Sequence, residues 1–208
     1  MYGLQLVTGP SEEPVTTAEL KAWLRIEHTA DDTLISALGA AARGLLERLF
    51  GRQLVTATWR LTMDGFPWPN GWQLIESPII WPDPHTIRIP RAPLQSVTSI
   101  TYYDLGDNLL TLAASTYDVD TIHDPGRVNL AMNKVWPVTR LKPGAVRVLF
   151  AAGYGAASAV PEEIKTAIKL TVAQWYEHRG EDGSTQDLPP AAKALLQSCW
   201  NGELEYGT

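Results

Sequence analysis

The 208-residue chain contains a single cysteine, Cys199. No internal disulfide can form, so the fold must rest on packing, and synthesis in a reducing cytosol is expected. Cys199 lies in AKALLQSCW, where helical spacing makes it a small apolar residue and not a catalytic thiol. Long apolar runs are also missing: no stretch approaches the ~20 residues that a membrane helix needs. The opening MYGLQLVTGPSEEP has neither a basic n-region nor an apolar h-region, so no secretory signal is expected there. Positive charge is scarce. Lys and Arg number 17 against 23 Asp and Glu, for a net charge of −6. The densest basic pairs are only Arg88 with Arg91 and Arg140 with Lys142. Such a balance argues against reading nucleic acid, which depends on Lys and Arg neutralising phosphates. It leaves room for an acidic surface that faces DNA without gripping it.

Signatures of chemistry are equally thin. None of His28, His85, His123 and His178 stands at zinc-ligand spacing from another histidine or from the cysteine. There is no G-x-S-x-G elbow. The segment FAAGYGAASAVPEEI has the strand–loop–helix order that can cradle a phosphate. It lacks the G-K-[ST] ending, and Glu162 with Glu163 would repel an anion at that helix start, so Gly153 and Gly155 read as turn formers. In YDVDTIHD, Asp118, Asp120 and Asp124 alternate as calcium ligands do, but the glycine and terminal glutamate of a calcium loop are missing. Asp118 and Asp120 are expected to face solvent, with Tyr117 and Val119 facing the core. No catalytic, cofactor-binding or metal-binding residue is nominated, and a non-enzymatic binding or assembly protein without a cofactor is expected.

What the sequence does contain is order. Thr16 and Glu19 form a capping box, with Val15 and Leu20 placed as a hydrophobic staple, and a first helix should run to about His28. A second should start near Asp31 or Asp32, acids suited to its N-terminus, and stop at Gly51. Its Leu34, Ile35, Leu38, Ala41, Ala42, Leu45, Leu46 and Leu49 recur at helical spacing. From residue 54 the period changes to two: Val55, Ala57, Trp59, Leu61 and Met63 alternate with polar residues. Further strands are expected at 86–89, 97–104, 109–112, 117–120, 127–130 and 145–150, punctuated by proline and glycine. Helical spacing returns with Pro161 at a first-turn position and the face Ile164, Ala167, Ile168, Thr171, Val172 and Trp175. A polar loop, 180–189, and a last helix from about Pro190 to Trp200 precede the tail NGELEYGT. The expected fold is α+β. N-terminal helices (1–53) and C-terminal helices with the tail (153–208) form one bundle, and 54–152 form a large antiparallel β insertion.

Eight tryptophans are many for this length, and five lie in or beside the β segment. Trp59 fits the inward face of its strand. Trp68, Trp72 and Trp81 sit in proline-rich loops, where they serve either as a hydrophobic lid or as interface anchors. Stacking on sugar rings is a further use, and a carbohydrate-binding module built on these three is the rival reading. Titration with a panel of polysaccharides separates the two, because stacked sugars change tryptophan fluorescence.

Several segments together resemble the head–tail connector (adaptor, or head-completion) proteins of long-tailed bacteriophages and of gene-transfer particles. They are LVTGPSEEPVTTAELKAWLRI with Asp31–Ile35, LFGRQLVTATWRLTMDGFP, IRIPRAPLQSVTSITYYD, YDVD, PGAVRVLFAAGYG, VPEEIKTAIKLTVAQWYEHRG and the late proline before a closing helix. The resemblance spans nearly the whole chain in the family's order; its force lies in the number and order of the pieces, since none is a mechanistic motif. It implies a virion structural protein in the neck between capsid and tail, made in the host cytoplasm. The subunit would belong to a homo-oligomeric, dodecameric ring beneath the portal protein, meeting a stopper or tail-completion protein on its other face. DNA would pass through the lumen without sequence-specific binding, and no membrane is involved. The tail with Trp200, Leu204 and Tyr206 is the expected portal-engaging element, and Trp68, Trp72 and Trp81 are further partner-binding candidates.

Overall fold

The computed structural model describes residues 2–67, 84–178 and 188–199. Among these residues there are four α-helices and eight β-strands. They fall into two compact units. The described residues of Met1–Pro10 and Thr56–Tyr154 form one, and those of Ser11–Val55 and Gly155–Thr208 form the other. The fold is α+β, with helices in one unit and antiparallel sheets in the other.

In the helical unit, α1 (Thr17–Leu24) begins with the capping box. The Glu19 N–H donates to Thr16 Oγ1 at 3.2 Å, and Glu19 Oε2 accepts from the Thr16 N–H at 2.7 Å. The Thr16 hydroxyl, which also donates to Glu19 Oε2 at 2.7 Å, and then the Thr16 N–H hold the Glu19 carboxyl below its ordinary pKa. The helix stops earlier than its apolar pattern suggests, because Arg25 turns left-handed (φ 57°) and the Ile26 N–H bonds back to Lys21 O. In α2 (Asp32–Leu49) the buried stripe is Ile35, Gly39, Ala42 and Leu46, at three- and four-residue spacing. It is narrower than the sequence pattern, since Ala41 and Leu49 are exposed. A Cβ at Gly39 would come within 2.9 Å of Leu20 Cδ1, so the bare glycine lets the buried leucine of α1 seat against α2.

Two charged residues, Glu47 and Lys165, are buried among the described residues of this unit. Glu47 Oε1 accepts from Gln53 Nε2 at 2.8 Å and from the Leu54 N–H at 3.1 Å, while Oε2 takes Arg43 Nη1 at 2.8 Å. Arg43 in turn grips both oxygens of Glu13, at 2.7 and 3.3 Å. A buried carboxylate without such partners would cost several kcal/mol. The pattern of apolar residues says nothing of this network. The third helix, α3 (Glu162–Glu177), packs on α1 and α2, and α4 (Pro190–Cys199) packs on α3. Of the face that the spacing predicts, α3 buries Ile164, Ala167, Ile168, Thr171 and Val172, and leaves Trp175 half-buried near its end. Cys199 is half-buried at the end of α4.

The β unit holds two antiparallel sheets. Its first strand, β1 (Tyr2–Thr8), is a departure from expectation: residues 2–8, read from sequence as part of the helical segment, are paired with β2 (Ala57–Met63). The other strands are β3 (Thr86–Arg88), β4 (Leu94–Tyr103), β5 (Leu109–Thr111), β6 (Tyr117–Asp120), β7 (Arg127–Leu130) and β8 (Val146–Ala152). One sheet has the order β1-β2-β8-β4-β5 and the other β3-β7-β6. A single buried cluster draws on both, with Leu61, Met63, Ile100, Val148 and Phe150 from the larger and Ile87 and Val128 from the smaller. Trp59 is half-buried beside it, with the Arg91 guanidinium 4.8 Å over its ring. Val119, expected inside, is exposed, whereas Tyr117 packs on the core.

Close packing sets the expected effect of two glycine substitutions. A Cβ at Gly126 would lie 2.4 Å from Leu94 Cβ, an overlap that only backbone movement relieves. Gly126→Ala should cost about 1–3 kcal/mol in a denaturant melt. Gly44→Ala on α2, where a Cβ meets nothing within 4 Å, should instead gain about 0.5–1 kcal/mol from helix propensity. An unchanged midpoint for the first variant would contradict the packing described.

Candidate functional site

Trp68, Trp72, Trp81, Trp200, Leu204 and Tyr206, the partner-binding candidates of the sequence, all lie outside the described residues. The surfaces that are described must therefore be weighed for themselves. No helix among the described residues is long and apolar enough to cross a membrane. Nor do those residues gather three or more His, Cys, Asp or Glu side chains that could hold a metal ion.

A cleft of about 460 Å³ opens in the helical unit, with Glu12, Glu13, Glu19, Ser36, Gly39 and Lys165 in its walls. Its charges are engaged in holding the fold. The Glu12 carboxylate accepts the Ala157 N–H at 2.8 Å, Glu13 holds Arg43, Glu19 caps α1, and Lys165 Nζ meets Glu162 at 2.9 Å. The Thr16 hydroxyl in the same wall donates to the Glu19 carboxylate at 2.7 Å as part of the helix cap.

The acidic turn between β6 and β7 is also structural. Asp120 Oδ1 accepts the N–H groups of Ile122 (3.0 Å) and His123 (3.2 Å), and Oδ2 meets Arg127 Nη2 at 2.9 Å. The His123 N–H first, and then the Arg127 side chain, hold the Asp120 carboxyl well below the ordinary carboxylate range. Asp118 faces solvent, as expected, whereas Asp120, expected to do the same, is half-buried because it turns back onto these partners.

More apolar surface is left at the end of the β unit where 131–145 meet the β4–β5 turn. Trp136 pins this long connection from inside: it stacks on Phe66 with centroids 4.9 Å apart, and its Nε1–H donates to Pro84 O at 3.0 Å. Around that anchor Met132 (88% exposed), Val138 and Leu141 (97% exposed) point outward. The Arg140 N–H donates to Tyr103 O at 3.1 Å, and Asp107 in the turn pairs with Arg140 at 2.7 Å and Lys142 at 3.0 Å. Lys142 Nζ also lies 3.6 Å above the Tyr103 ring. Leu105, largely exposed, sits in the same turn. Isolated exposed leucines are ordinary, but here exposed apolar side chains lie on two loops joined by ion pairs, a candidate patch. Sequence reasoning missed it because neither loop carries a period.

No protein-family model matches the chain, and no curated protein matches it either. Solved structures share its fold along nearly its whole length. A chain in the neck of an empty gene transfer agent particle, computed with C6 symmetry, superposes with a TM-score of 0.71 at 23% identity, covering 94% of both chains. A chain from the virion of a native gene transfer agent particle gives 0.72 at 23% identity, covering 95% of this chain and 94% of that one. One from the native particle's neck, computed with C12 symmetry, gives 0.70 at 21%, covering 94% and 93%. At these identities the likeness is one of fold.

Two measurements probe the anchors just described. Trp136→Phe keeps the stack but loses the bond to Pro84 O and should cost about 1 kcal/mol. Trp136→Ala should cost about 3–5 kcal/mol and open residues 131–145 to limited proteolysis; an unaltered cleavage pattern would show that the indole does not pin the loop. For Asp120 the lowered pKa means that its contribution is present above the unfolded value near ~4 and lost as pH falls through the folded value. The melting temperature of Asp120→Asn should accordingly fall less steeply below about pH 4 than that of the parent; parallel acid limbs would count against the Asp120 contacts.

Proposed function

We propose that this chain is a virion structural protein, one subunit of the connector ring in the neck of a phage-like particle. The observation that carries the reading is the full-length fold likeness to chains of gene transfer agent necks and virions. The order of segments along the sequence supports it independently. In this reading the ring is dodecameric and sits beneath the portal protein, with a stopper or tail-completion protein on its other face. DNA passes through its lumen.

The physical properties of the chain suit that work. A net charge of −6 lets DNA slide past without adhering. The exposed apolar side chains at the end of the β unit gain ~25 cal/mol per Å² when a neighbour covers them. No reacting group is called for, and the polar groups around the cleft serve to hold loops in place. The tail bearing Trp200, Leu204 and Tyr206 is assigned to the portal, and Trp68, Trp72 and Trp81 to a contact with a neighbouring protein. Large aromatic side chains are the usual anchors of such contacts.

Electron microscopy of purified portal mixed with this protein is the direct test. A ring of added density on the portal is expected, and portals without it would overturn the reading. Deleting the residues after Asn201 should abolish attachment and leave the melting temperature unchanged. Full attachment by the shortened protein, which keeps Trp200, would remove Leu204 and Tyr206 from the portal contact.

A further inference from the structure

Among the described residues the five-stranded sheet ends at β1 on one side and at β5 on the other, and no strand pairs with their outer sides. An unpaired strand edge presents a row of backbone donors and acceptors to water, and proteins usually guard it with charge, proline or a strong bulge. The sequence of β1, YGLQLVT, has no charge and no proline, and a register shift between Leu6 and Thr8 is its one irregularity. Leu6 and Val7 are 46% and 43% exposed. The strand β5, LLT, is uncharged as well, with Leu109 52% and Leu110 40% exposed.

The two edges match. All neighbouring strands are antiparallel and five is an odd number, so β1 and β5 run in the same direction. The register also fixes their faces. Leu110 lies opposite Tyr102, Tyr102 opposite Val146, Val146 opposite Met63, and Met63 opposite Tyr2. Residues facing one another across a ladder share a face, as do residues two apart on a strand. Leu110 therefore lies on the same face as Tyr2, Leu4 and Leu6, the face that carries the buried Val148 and Phe150.

We infer that the sheet continues from one copy of this chain to the next, with β5 of one copy adding in parallel to the open edge of β1 of its neighbour. A two-fold contact would join β1 to β1. A contact between two different edges propagates by rotation, and it closes a ring when that rotation divides a full turn. The inference rests on the ring reading in choosing the second arrangement. It extends the core-side face across the junction, covering Leu6 with Leu110 of the next copy, and it satisfies the two exposed backbone edges at once.

Disulfide trapping tests it. In a Cys199→Ser background, Leu6→Cys and Leu110→Cys are introduced together and singly, and each protein is mixed with portal and oxidised. Neighbouring strands lie ~4.7–4.9 Å apart, inside the ~4.4–6.8 Å Cα separation that a disulfide accepts. Leu4→Cys with Leu110→Cys covers a register slipped by two residues. A ladder of covalent oligomers is expected from a double variant and only monomer from each single one. Rings seen by microscopy without a ladder from either double variant would overturn the edge contact and leave the neck reading standing. Covalent dimers from Leu6→Cys alone would also overturn it, in favour of a β1–β1 pair. If neither ring nor ladder forms, both readings fall.

Discussion

β2 and β8 lie side by side through seven antiparallel pairs, from Ala57 opposite Ala152 to Met63 opposite Val146. Just before β2 and just after β8, Val55 and Gly155 form a parallel bridge. The β segment thus departs from the helical chain and rejoins it at one place, whatever happens in between. That is the condition under which a large insertion can be carried without separating α2, which precedes it, from α3, which follows. The same ladder stands in the middle of the five-stranded sheet and supplies Leu61, Met63, Val146, Val148, Phe150 and Ala152 to the β core. Because β8 lies between β2 and β4, the sheet is complete only when the last strand of the segment arrives. Its contacts are therefore non-local, the kind that form late and slowly in folding.

How far such a fold can be read from sequence depends on whether a residue's fate is set by its near neighbours. The capping box at Thr16, the alternation of β2 and the buried face of α3 are local, and each is visible in the order of residue types. Glu47 is different. Its burial is made tolerable by Gln53, Leu54 and Arg43, and Arg43 depends on Glu13, 30 residues away. β1 escaped notice because a strand exposed along most of its length needs no strong apolar pattern. The early stop of α1 turns on the left-handed Arg25, a conformation that residue type does not announce.

The tryptophans make the same point about the candidate site. Composition marks them as unusual without sorting them: Trp136 is a buried anchor, Trp59 a half-buried neighbour of the core and Trp23 an exposed residue of α1. The loop patch around Leu105 and Leu141 went unseen for the opposite reason, since aliphatic residues in aperiodic loops look ordinary until the loops are brought together. What joins them is polar. Asp107 bridges to Arg140 and Lys142, so ion pairs of modest individual value set the position of the apolar groups they flank.

In the ring reading, these features divide the labour of assembly. A subunit that must stay dispersed before docking cannot expose one large apolar face, because it would aggregate. Several small surfaces avoid that hazard: two short sheet edges, a loop patch and an aromatic tail, none sufficient alone. Once a first subunit is held, each further contact becomes intramolecular in effect, and closing the ring multiplies weak contacts into a stable whole. The short β5 fits this logic better than a long strand would. A seven-residue edge meeting a three-residue one can form few hydrogen bonds, enough to set register and direction between neighbours but too few to bind two free subunits tightly.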